Sequence, residues 1–228
     1  MQKSLFLIVL FVGLCFCTQT YEELAYDLFA LHNSLRADSS SLITELENEL
    51  AAGTNEESSS VYEETLAFLH TLEPLPALIL DDSLTQACID SCNYQGFSGQ
   101  FTHNALDYDG IVTNMQTRIT KYGEWLGCIG ENISAGTYDA WEIMKMFILD
   151  ANTPSKGHRN NIYTVKHQFE LIGIACGCHN EWGIICSFDY ACGFFANGAA
   201  PQPLLHISGG GYTTDCPDPR TISYNYEL

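Results

Sequence analysis

The sequence predicts an α+β fold built around an antiparallel sheet, and three observations lead there. Stretches of helical periodicity come first, two β-type runs come last, and no strand–helix–strand alternation lies between them. Apolar residues make up 46% of the 228 positions, which excludes global disorder. That length gives one domain with appendages and enough chain to bury a substantial core.

Residues 21–50 read as helical, because Leu24, Leu28, Leu31 and Leu35 recur at spacings of three and four and mark one buried face. Residues 51–60, with Gly53, Asn55 and three consecutive serines, read as an exposed loop. An amphipathic helix over 61–72 follows and ends before Pro74 and Pro76. Asp82 or Ser83 can cap the next helix, which carries Leu84, Ala87 and Cys88 on one side. Residues 96–110 are turn-rich, and 117–122 form a short helix before Gly123. Trp141, Met144, Phe147 and Ile148 then recur at helical spacing over 138–149, and the Asn152–Pro154 turn ends that helix. Residues 171–176 and 183–191 are strands, joined by a hairpin turn around His179 and Trp182. From Pro201 onward the chain is a Gly- and Pro-rich tail.

Charge and cysteine content narrow the class. With 28 acidic against 9 basic residues, the formal net charge is −19. Such a surface repels nucleic-acid backbones and anionic head groups, and it concentrates divalent cations. Met1 to Lys3, an apolar run to Leu14 and small residues at Cys15 and Cys17 describe a signal peptide over 1–17, too short to span a bilayer comfortably. The expected product is secreted, with no stable membrane insertion. Beyond Cys17 lie Cys88, Cys92, Cys128, Cys176, Cys178, Cys186, Cys192 and Cys216. An even count in an exported chain favours disulfides over free thiols and over a zinc–thiolate site, though spacing alone leaves their pairing open.

Four polar strings sit at element boundaries: Phe101-Thr102-His103-Asn104, Gly130-Glu131-Asn132-Ile133, Phe147-Ile148-Leu149-Asp150 and Gly157-His158-Arg159-Asn160-Asn161-Ile162. Their order and spacing resemble the CAP superfamily (SCP/TAPS), in its simpler microbial and protist form. Asp109-Gly110, Arg118, Tyr122-Gly123, Gly173-Ile174-Ala175 and Asp189-Tyr190-Ala191 are similar as well, as are Leu31 to Arg36 and Leu80 to Leu84. The likeness covers residues 21–193 with an insertion at about 42–72, leaving 194–228 as a C-terminal extension.

The resemblance implies a disulfide-stabilised α-β-α sandwich with a small central antiparallel sheet and a cleft lined by His103, His158, Glu131 and Asp150. Asp150 stands where the family more often has Glu, so a water is expected to bridge what the longer arm would reach. Two imidazoles beside carboxylates suit a weakly held, open Zn²⁺ site. The same four residues equally suit a purely structural hydrogen-bond network. His32 and His70 read as structural, and His179 as a position on the cleft rim. Asn132-Ile133-Ser134 is a formal glycosylation sequon that the resemblance places in a buried string, so no glycan is expected on it.

Three functions remain open. The first is a binding module for a divalent metal and a small apolar ligand or an extracellular protein, with Trp125, Trp141, Trp182, Phe194 and Phe195 available to line a groove. The second is a metal-dependent, peptidase-like hydrolase in which Glu131 or Asp150 activates a metal-bound water. It ranks lower because no stronger catalytic signature is present. The third is a defence or interaction protein with a structural cleft. Oligomeric state is not legible in the sequence.

Overall fold

In the computed structural model, which describes residues 19–198 and Cys216, the helices are α1 (Tyr21–Ala37), α2 (Ser40–Ala52), α3 (Ser59–Leu69), α4 (Asp82–Ser98), α5 (Met115–Tyr122), α6 (Ala140–Leu149) and α7 (Gly157–Ile162). The strands are β1 (Ile79–Leu80), β2 (Asn104–Leu106), β3 (Val112–Asn114), β4 (Gly123–Ala135), β5 (Leu171–His179) and β6 (Gly183–Ala196). The expected leader over 1–17 and the extension beyond 198, Cys216 excepted, lie outside the described residues. The α+β class stands.

The main sheet has the order β1-β5-β6-β4. It is antiparallel except at its edge, where β1 pairs parallel with the start of β5. The connector ahead of β1 is held against α1, which sets that direction. Asn33 exchanges two hydrogen bonds with the backbone of Leu78, and Arg36 donates to the Pro76 carbonyl.

Strand alternation divides the molecule into layers. Ile172, Ile174, Cys176, Ile184, Cys186, Phe188 and Tyr190 point into the large core shared with α1 and α6. Ala175, Ile185 and Ala191 face α4 and α5 on the other side. That second face is lined with small residues, so α4 lies almost on the backbone of β5. A Cβ on Gly173 would stand 2.2 Å from the Leu84 carbonyl carbon, and one on Gly96 would stand 2.0 Å from the Cys178 oxygen.

The structure departs from the sequence reading in several places. The helix expected over 21–50 breaks at Asp38, whose backbone is extended while its carboxylate accepts from Ser40 N–H. Ser39 bonds back to the Leu35 carbonyl, the local competition with helix that short polar side chains provide. The insertion therefore becomes a pair of helices, α2 and α3, with Gly53 closing α2 in the left-handed region. Strand β4 carries no clear signature in the sequence because Gly123, Gly127 and Gly130 interrupt its alternation. Its pairing with β6 shifts between Leu126 and Ile129, around Gly127 at φ 76°.

Disulfides join Cys128 to Cys192, Cys176 to Cys186 and Cys178 to Cys216, the last tying the tail to β5. The expectation that all eight cysteines pair is corrected at Cys88 and Cys92. Both are free and buried on α4, with their thiols at 3.3 Å from the carbonyls of Gly173 and Ala175. Burial above all pushes both thiols up, joined at Cys88 by the Asp189 charge and opposed at Cys92 by a backbone hydrogen bond at Ser187, so neither supplies a ready thiolate. Among the described residues no helix is long and apolar enough to cross a membrane.

Candidate functional site

The first half of the site is assembled from a loop, a helix and a strand. His103, just ahead of β2, places its Nδ1 2.7 Å from Oε1 of Glu131 on β4. The other oxygen of Glu131 accepts from the Arg118 guanidinium of α5, which also donates to the Thr113 carbonyl at 3.2 Å. Glu131 and Arg118 are buried while His103 is half exposed, so a buried ion pair holds a ring at the surface of the site. Across the ladder Asp189 pairs with Glu131 in register and is fully buried. Burial and then the Glu131 charge drive its carboxyl well above the ordinary carboxylate range.

The second half repeats the pattern on the far wall. Asp150 closes α6 in the left-handed conformation, φ 45° and ψ 44°. Its carboxylate accepts from His158 Nδ1 at 2.8 Å and from the His158 backbone N–H at 2.9 Å. The water bridge expected for so short a side chain is therefore unnecessary, because the turn brings α7 directly onto Asp150. Burial alone would raise this carboxyl, but hydrogen bonds from His158 and Thr153 outweigh it and leave it below the usual Asp value. Phe147 stacks on the His158 ring with centroids 5.1 Å apart. The neighbouring Arg159 is held by Glu64 of α3 at 2.6 and 2.8 Å and lies over the Phe68 ring, so the insertion buttresses this motif.

Both imidazoles and Asp150 line one cavity of about 600 Å³, and Glu131 stands directly behind His103. A carboxylate takes Nδ1–H in each pair, so each neutral ring keeps Nε2 as its lone-pair nitrogen. His103 and His158 are the residues that could offer nitrogens to a borderline divalent metal. No group of three or more His, Cys, Asp or Glu able to hold a metal ion exists among the described residues.

His179 does not occupy the rim. It is fully buried, its Nε2 donates to the Gln100 carbonyl at 2.7 Å, and its Nδ1 accepts from the N–H groups of Glu181 and Trp182 at 3.2 Å. It thereby fixes two pieces of the cavity mouth, the chain before Phe101 and the turn at Trp182. The available signal was its place two and three residues ahead of two turn N–H groups. His32 is structural as expected, buried with Nε2 3.2 Å from the Tyr190 hydroxyl. His70 is exposed and pairs loosely with Glu47. Of the five aromatics expected to line a groove, only Trp182 borders the cavity. Trp125 and Phe194 pack beside α4 and α5, Trp141 packs on the main core, and Phe195 is exposed elsewhere.

The sequon asparagine is unavailable for modification. Asn132 is fully buried, donates to the His158 carbonyl and the Tyr190 hydroxyl, and accepts from Asn161.

No family profile matches the chain, and no curated protein does. Two solved structures overlap it. One is an outer surface protein from Borrelia burgdorferi, at 19% identity and TM-score 0.42 over 58% of this chain and 86% of that one. The other is an extracellular protein containing an SCP domain from Bacillus anthracis, at 18% identity and TM-score 0.39. That second overlap covers 58% of this chain and 39% of the other. Overlaps this loose fix neither family nor function.

Proposed function

We propose that the chain is an exported CAP/SCP-type binding protein whose cleft takes a divalent metal on His103 and His158 together with a small apolar ligand. One observation carries this reading: His103 and His158 line a single cavity, each braced at Nδ1 by its own carboxylate, Glu131 and Asp150. His179, buried and structural, has both nitrogens engaged. Here each ring is braced at one nitrogen and leaves the other for a ligand. The motifs in the sequence and the three disulfides support the same reading.

The residues divide the work. Glu131, itself pinned by Arg118, fixes the tautomer and orientation of His103, and Asp150 does the same for His158. A divalent ion held there would keep coordination positions open to solvent beside a bound molecule. Phe101, Met146 and Trp182, all exposed at the cavity, supply apolar contact area for the rest of that molecule.

Calorimetric titration with Zn²⁺ tests the metal half. The wild-type chain should bind weakly at neutral pH and His103→Ala/His158→Ala should not. Asp150→Asn, which keeps the shape but loses the charge, should weaken binding by about 10- to 100-fold. Equal affinity in the wild type and the double variant would overturn the assignment.

A further inference from the structure

The cavity has a second chemical pole, away from the histidines. Its floor is α6, along which Glu142 and Asp150 are separated by about 12 Å of helix axis. At the Glu142 end the wall is completed by Glu56 and Glu57 from the turn between α2 and α3. The cation nearest them is already committed. Lys145 is buried, with its ammonium 2.6 Å from Glu49 and 3.1 Å from Glu45. None of Glu56, Glu57 and Glu142 has an ion-pair partner among the described residues. Met146, 45% exposed, stands on α6 between the two ends, and Phe101 and Trp182, 49% and 53% exposed, line the same cavity.

We propose that the ligand of this cleft is a cationic amphiphile, a single-chain alkylammonium, with its charged head at Glu142, Glu56 and Glu57 and its chain laid across Met146, Phe101 and Trp182. The proposal rests on the binding-cleft reading and adds the class of ligand. A cavity of about 600 Å³ suits a small molecule of this kind. An exposed methionine and two exposed aromatic faces suit a flexible hydrocarbon chain, and aromatic rings also attract ammonium groups. Charge complementarity selects the head group. Glu142 is pushed above its ordinary value by burial and then, against the pull of Lys145, by Glu56, Asp139 and Glu45, a repulsion that an arriving cation relieves. An alkyl carboxylate would meet the same carboxylates with the wrong sign.

The test uses decylamine, decanol and decanoate as probes of equal chain length, in metal-free buffer of low ionic strength. Binding is read from tryptophan fluorescence, with Trp182→Phe isolating the signal of that residue from those of Trp125 and Trp141. Decylamine should bind about tenfold more tightly than decanol, with decanoate weakest, and added salt should narrow the gap. Glu56→Gln/Glu57→Gln/Glu142→Gln should bring the three probes to within about twofold of each other while decanol affinity holds. If decylamine binds no better than decanol, or if the triple variant keeps the preference, the head-group assignment is overturned and the apolar cleft stands. If none of the three probes binds, both the assignment and the apolar-ligand reading fall.

Discussion

At the scale of single residues, the histidines of the core and the cleft separate by what their nitrogens do. His32 is the clearest case of a purely internal role. Burial and then the Arg36 charge push its imidazole down to about 3. The unfolded chain protonates this residue near pH 6.5 while the folded chain leaves it neutral, so acidification favours unfolding. Its contribution is complete above about pH 6.5 and declines by about 1.4 kcal/mol per unit as pH falls toward 3. In urea unfolding, His32→Gln should be the less stable protein at pH 7, and its deficit should shrink by that amount per unit between about pH 6 and 4. A constant deficit would mean that His32 is charged in the fold. His103, Glu131, Asp150 and His158 were legible as a set because each sits in an unusual string in the right order. The brace behind each ring was not legible, since Arg118 reaches Glu131 and Glu64 reaches Arg159 only through tertiary placement. The direct Asp150–His158 contact depends on a left-handed residue closing α6, which nothing in the side-chain pattern announces.

At the scale of elements, the packing of α4 on β5 is the tightest constraint in the fold. Gly173→Ala puts a methyl group against the backbone at Leu84 and Thr85, where no flexible side chain can move aside. It should cost about 3 kcal/mol or more in chemical denaturation, or yield no folded protein. Gly157→Ala is the control, because only the Ser155 hydroxyl lies nearby, at 3.7 Å, and it should cost about 1 kcal/mol or less. Helices with regular leucine spacing and the β5–β6 hairpin were readable because their periodicity reports one buried face each. β4 was not, because its glycines and polar residues serve the site on one side and the ladder on the other. α7 is hidden for a different reason: six residues are too few to display a period.

At the scale of the whole molecule, the disulfides differ in what they restrain. Cys128–Cys192 closes 64 residues of chain between β4 and β6, whereas Cys176–Cys186 closes 10 within one hairpin. Removing the first by paired serine substitution should cost about 2–4 kcal/mol, and removing the second measurably less, as judged by guanidinium midpoints. Cysteine count alone identified a cross-linked chain, and the layers decided which sulfurs meet. Cys88 and Cys92 are excluded because α4 turns them into the sheet. Their placement favours one order of events. An oxidant reaching the chain before α4 is seated would find every sulfur exposed and many mistaken unions within reach. Arriving afterward, it finds two of them sealed away, and the correct cross-links are the easy ones to make. Burial of Cys88 and Cys92 in the finished fold thus favours bonding that follows shape.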